Sequence, residues 1–254
     1  MIEINKDVVV KLLGIVDAGL SSGLGEPEPG KMCVEAAVCY ALGLPHGDDP
    51  KCVDPVLRSL KIRLNDSNWS SKAARAKGLR RLAVIQLGSK DNLNQREFAM
   101  KLADLACRTS VPIALRAAAS IYKDPKHKAA LLEAANRCET SPNREAALHA
   151  KKVANSAYAS ASASAYASAY ASAYASADAS ADAYASAYAS AYASASAYAS
   201  ASASAYASAS AYASASASAR DKILSDFAEG VVQILVEMKV PGAQWLELTD
   251  AVAA

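Results

Sequence analysis

Between Ala157 and Ala219 the chain has no glycine, proline, asparagine, lysine or arginine. Lacking the first three, this stretch has nothing to turn a strand, which disfavours a sheet folded from it alone. Lacking the last two, it offers no cation to a phosphate backbone, so its aromatic side chains do not make a nucleic-acid cradle. No run of 18 consecutive uncharged apolar residues occurs in the 254 residues, and no transmembrane helix is expected. The N-terminus, Met1-Ile2-Glu3-Ile4-Asn5-Lys6-Asp7, has no basic segment followed by an apolar one and predicts no signal peptide. There are five cysteines, Cys33, Cys39, Cys52, Cys107 and Cys138. An odd and scattered set argues against a disulfide framework and for a reducing, cytoplasmic setting. Phosphate-binding glycine loops are also missing.

Charge is present but local. Residues 1–156 hold 24 Lys/Arg against 17 Asp/Glu, and residues 220–254 hold three against six. Most of the excess sits in residues 51–81, with nine basic and two acidic side chains.

The first 140 residues read as short helices separated by Gly, Pro and Asp. Helices are expected near 6–19, 31–43, 54–64, 72–87, 94–109, 111–122 and 125–138. Asp54-Pro55 is an N-cap followed by proline at the first helical position, and Ser70 or Ser71 caps the next helix. Runs of alternating β-branched residues are absent, which removes the strand alternative for this region. The expected class is all-α: a basic helical bundle over 1–141, a long Ala/Ser/Tyr-rich helix over 142–219, and an amphipathic C-terminal helix and tail over 220–254.

The tract from Ala157 to Ala219 has Ala at every odd position; its even positions are 19 Ser, ten Tyr and two Asp. Strict period two is strand-like, and a silk-like sheet is the first alternative. A single extended strand of this length would span roughly 210 Å, and alanine favours helices over strands. The tyrosines decide the matter. Wound at about 100° per residue from Tyr158, the ten rings of Tyr158, Tyr166, Tyr170, Tyr174, Tyr184, Tyr188, Tyr192, Tyr198, Tyr206 and Tyr212 fall between about 0° and 160°. Asp178 and Asp182 fall outside that arc, at about 200° and 240°. A strand would give no such selection. As one straight helix the tract alone would be about 95 Å long. Downstream, Ile223, Leu224, Phe227, Val231, Ile234, Leu235 and Met238 form an apolar stripe opposite Asp226, Glu229, Gln233 and Glu237. Lys151 and Lys152 fall inside the tyrosine arc, so residues 142–156 are expected to be offset from it.

An exposed Ala/Ser helix is marginal, so the tyrosine face is expected to need a partner: a second copy, the bundle after a fold-back, or another protein. The bland alternative is a repeat-expanded spacer. The other candidate surface is basic. Helix 54–64, a turn through Trp69, and helix 72–87 have a helix-turn-helix outline, and Lys72, Arg75, Lys77, Arg80 and Arg81 would meet an acidic protein or, as the weaker alternative, nucleic acid.

Catalytic motifs are weak. Gly19-Leu20-Ser21-Ser22-Gly23 matches G-x-S-x-G but follows a helix instead of a strand. Cys33, Cys39, His46 and Cys52 have no common zinc spacing and read as structural. His46, His127 and His149 lack a carboxylate at catalytic spacing. No catalytic residue, cofactor or metal is expected. The expected function is non-enzymatic: a scaffold or blocking-type accessory protein that uses its long helix for homo-oligomer assembly or for binding a protein partner, with no membrane contact.

Overall fold

The computed structural model describes residues 3–121, 124–160, 173, 175, 177, 178, 181 and 217–251. They are mostly helical. Among the described residues there is no strand, only an isolated antiparallel bridge between Gly25 and Met32. No helix among them is long and apolar enough to cross a membrane.

The helices are α1 (Lys6–Asp17), α2 (Val34–Ala41), α3 (Pro55–Asn65), α4 (Lys72–Ile85), α5 (Gln95–Arg108), α6 (Ser110–Ile121), α7 (Pro125–Thr140), α8 (Arg144–Ser160), α9 (Ala217–Glu237) and α10 (Glu247–Ala251), with a 3-10 turn at Pro241–Trp245. Their starts follow local chemistry. Asp54 accepts the Val56 amide at 2.9 Å with Pro55 at the first helical position, and Ser71 accepts the Ala74 amide at 3.0 Å. Asp124 and Pro125 repeat the first arrangement at α7. In each case a side-chain oxygen satisfies an amide that the helix itself leaves unpaired.

The chain divides into two compact units, residues 1–94 with 228–254, and residues 95–227. In the first, α2 packs against α1, α3 and α4. Leu12, Leu13 and Val16 of α1, Leu57, Leu60 and Leu64 of α3, and Leu79 and Leu82 of α4 are all buried. Seven of the eight residues of α2 are buried as well, Tyr40 being the exception. The 3-10 turn lies on the end of α4 so closely that a Cβ on Gly242 would stand 2.2 Å from the Ile85 carbonyl oxygen. Only glycine fits there.

In the second unit α5 to α8 pack through small side chains. Ala114 and Ala118 of α6, Ala134 and Ala135 of α7, and Ala146, Ala147, Ala150 and Ala154 of α8 are buried. The Arg116 guanidinium ties α6 to α7 through the carboxylate of Glu139 and the side-chain oxygen of Asn136. The thiols of Cys107 and Cys138 are buried, and Cys138 donates weakly to the Ala146 carbonyl, with sulfur and oxygen 3.6 Å apart. The apolar stripe expected on α9 is buried from Ile223 to Leu235. Met238 is half-buried, beyond the helix end.

One feature departs from the straight rod. Lys151 of α8 is ion-paired with Asp178. A straight helix would hold these residues about 40 Å apart, at about 1.5 Å for each of 27 steps. The helical residues Ala173, Ala175, Ala177, Asp178 and Ala181 therefore do not continue α8 along a single straight helix. Ala173, Ala177 and Ala181 are buried, where a projecting rod would leave its alanines wet.

Candidate functional site

At its second position α2 carries Glu35, within the otherwise apolar run Val34-Glu35-Ala36-Ala37-Val38-Cys39. Because three helices cover α2, this carboxylate has no route to the surface and is 0% exposed. Lys61 of α3, also 0% exposed, brings its Nζ to 3.0 Å from Glu35 Oε1. The contact is a close ion pair with an off-axis approach, and among the described residues Glu35 Oε2 has no hydrogen-bond partner. Burial pushes the Glu35 carboxyl up from its ordinary value, against the opposing pull of Lys61. Burial likewise pushes the Lys61 ammonium down, against the pull of Glu35. Both shifts follow from taking charge out of water.

Three cysteines surround the pair. Cys33 caps α2, its Sγ accepting the Ala36 amide at 3.3 Å. Burial raises the thiols of Cys33 and Cys52 and pushes Cys39 up to about 11. All three stay protonated at neutral pH, which makes them poor nucleophiles and poor metal ligands. His46 is exposed, with Nε2 3.0 Å from the Gly25 carbonyl oxygen. His149 stands 3.0 Å from a Glu133 oxygen and His127 3.8 Å from an Asp124 oxygen. Among the described residues no three His, Cys, Asp or Glu side chains gather in a metal-holding arrangement. The Gly19–Gly23 segment is a loop after α1, where the Ser21 amide donates to the Met32 carbonyl at 2.9 Å.

Beside the pair lies a cavity of about 50 Å³, lined by Leu24, Cys33, Glu35, Asp48, Asn65 and Asp66 among others. Asp66 Oδ1 accepts the Gly23 amide at 2.7 Å and Asn65 Nδ2 at 2.9 Å, while Asn65 Oδ1 accepts the Val34 amide at 3.2 Å. Sequence reasoning missed Glu35 and Lys61. The signal was there, since an eight-residue helix apolar on all sides except for one acid requires that acid to be buried and matched.

Four of the five basic side chains singled out on α4 are engaged within the first unit. Arg75, 8% exposed, turns inward and donates Nε to the Asn65 carbonyl at 2.7 Å and Nη1 to the Leu20 carbonyl at 2.8 Å. Arg80 grips both oxygens of Asp17, at 2.7 and 3.0 Å, and also reaches the Thr249 carbonyl. Arg81 pairs with Glu229 at 3.1 Å and Asp250 at 3.3 Å. Lys72 donates to the Gly30 carbonyl at 3.1 Å, and Lys77 is exposed. Trp69, in the turn before α4, is buried and donates Nε1 to the Leu64 carbonyl at 2.8 Å.

Of the tyrosine set, Tyr158 has its backbone in α8. Tyr166, Tyr170, Tyr174, Tyr184, Tyr188, Tyr192, Tyr198, Tyr206 and Tyr212 lie outside the described residues. Three alanines further along the tract are described at a spacing of four residues. Ala173, Ala177 and Ala181 are 0%, 0% and 4% exposed. Ala175 is exposed. Asp178 meets Lys151. No protein-family model matches the chain, and neither the curated proteins nor the solved structures contain a detectable relative.

Proposed function

We propose that this is a non-enzymatic interaction protein in which the tyrosine-bearing side of the Ala/Ser/Tyr tract is a packing surface. Its use is self-assembly, in the manner of a scaffold, or the blocking of a partner protein. The supporting observation is the burial of Ala173, Ala177 and Ala181, four residues apart in the tract. Burial at a spacing of four residues marks one helix face as an inward one. Alanine there lets backbones approach closely, and tyrosine adds large contact area with a polar tip. The burial of Ala173, Ala177 and Ala181 within the chain's own second unit provides a template for the same contact between copies.

Catalysis has little to work with in the first unit, since its most perturbed groups, Glu35 and Lys61, are closed off from substrate. Light scattering of the purified chain from micromolar to millimolar concentration tests the reading. The expected mass rises above the 26.3 kDa of one chain and returns to it when Tyr184, Tyr188, Tyr192, Tyr198, Tyr206 and Tyr212 are changed to Ser. A monomer at every concentration contradicts self-assembly. A higher mass that survives the substitutions contradicts the tyrosine side as its cause.

A further inference from the structure

The second unit holds two cysteines, Cys107 on α5 and Cys138 on α7, two helices that pack against each other. Both are 0% exposed. Their thiols converge on the first turn of α8. Cys138 Sγ lies 3.6 Å from the Ala146 carbonyl oxygen, and Cys107 Sγ lies 4.0 Å from that of Asn143, three residues earlier. The two side chains are also hydrogen-bonded to each other, and that contact, more than burial, pushes the Cys138 thiol up from its ordinary value.

Alanine fills most of this core, so packing alone does not call for sulfur at two facing positions. The cysteines of the first unit are placed differently. Cys33 and Cys39 are six residues apart on α2, a rise of about 9 Å, which is beyond the reach of a disulfide. Cys52 lies in the loop before α3 and engages the Gly88 backbone. The pair in the second unit also lies close to a way in. Asn143 is exposed and caps α8, its Oδ1 accepting the Ala146 amide at 2.8 Å. Fraying of that first turn uncovers both sulfurs together.

We propose that Cys107 and Cys138 are a redox modification site, a dithiol that a hydroperoxide converts to a reversible disulfide stapling α5 to α7. One thiol attacks the peroxide oxygen, the O–O bond breaks, and a sulfenic acid and an alcohol or water result. The second thiol attacks that sulfur, the S–O bond breaks, and water leaves as the S–S bond forms. Each sulfur gives up one electron and the peroxide takes two. Because both thiols are protonated and covered, the reaction is slow and answers to sustained oxidant, not to a brief exposure. The product closes a loop of about 30 residues around α6 in a unit packed through small side chains, where a covalent tie adds most.

The test treats the full chain with millimolar hydrogen peroxide in the absence of reductant and follows it by intact mass, peptide mapping and thermal unfolding. A loss of two hydrogen atoms, mapped to a Cys107–Cys138 cross-link and reversed by dithiothreitol, is expected. The melting temperature of the oxidised chain rises by roughly 5–10 °C. Cys107→Ala and Cys138→Ala, which keep a small apolar group in the core, each abolish that rise. The mapping of the unsubstituted chain decides the pairing without relying on either variant. Cross-links to Cys33, Cys39 or Cys52, sulfinic or sulfonic acids at Cys107 or Cys138 without pairing, thiols left intact, or a melting temperature that does not move overturn the proposal.

Discussion

Replacing Lys61 with methionine keeps most of the buried stem and deletes the ammonium 3.0 Å from Glu35 Oε1. At an effective dielectric of about 20, two unit charges at that distance attract by about 5.5 kcal/mol. The protein does not lose that whole amount, because Glu35 has a cheaper escape: it takes up a proton. Holding a carboxyl of ordinary value 4.5 protonated at pH 7 costs about 3.4 kcal/mol, at about 1.36 kcal/mol per unit. That is of the size seen when one partner of a buried pair is removed, about 3–5 kcal/mol.

The sign with pH follows. Glu35 has its folded value raised, so its contribution is fully present below about 4.5 and is lost as pH rises toward the raised value. The unsubstituted protein, its Glu35 also raised, gains some stability as pH falls, so the deficit of Lys61→Met shrinks by at most about 1.4 kcal/mol per unit between pH 7 and 4.5. Glu35→Leu with Lys61→Met removes both charges and restores most of the loss. Both tryptophans, Trp69 and Trp245, lie in the first unit, so urea unfolding followed by their fluorescence reports on the right body. A Lys61→Met loss under about 1 kcal/mol, or a deficit independent of pH, refutes the reasoning.

Other substitutions separate buried from solvated groups. Arg75→Ala removes donors from two backbone carbonyls and lowers the stability of the first unit by about 2–3 kcal/mol, whereas Lys77→Ala stays within about 0.5 kcal/mol; the same fluorescence assay reads both. Gly242→Ala forces the 3-10 turn off Ile85, at about 1–3 kcal/mol, and shifts the Trp245 emission toward the red. In the second unit, Asp178→Lys sets like charges together and lowers thermal stability, and the exchange Asp178→Lys with Lys151→Asp restores it. The two side chains are 31% and 35% exposed, so the effect is about 0.5–1 kcal/mol and weakens with added salt.

Elements set by neighbours in the chain were legible. The Asp54-Pro55 start, the Ser71 cap and the apolar stripe of α9 need only a few residues of context, and the helices begin and end near the expected positions. The arc on α4 was legible as a direction but not as a surface. The carboxylates that engage Arg80 and Arg81 stand 63 to 169 residues away, and nothing local announces such partners. Glu35 and Lys61 were hidden for a related reason, since a lone acid and a lone base acquire meaning only when α2 and α3 are packed together. The ion pair between Lys151 and Asp178 had no sequence marker either. The usual signs of a turn are Gly, Pro and Asn, and the tract contains none of them.

The most direct measurement is a distance between spin labels at Lys152 and Ala175, both exposed, attached through a ketone-bearing residue so that the native thiols stay unmodified. Asp178 held against Lys151 of α8 places the labels within about 20 Å of each other. A distribution centred near 35 Å, the value for about 1.5 Å per residue along one unbroken helix, would contradict the account.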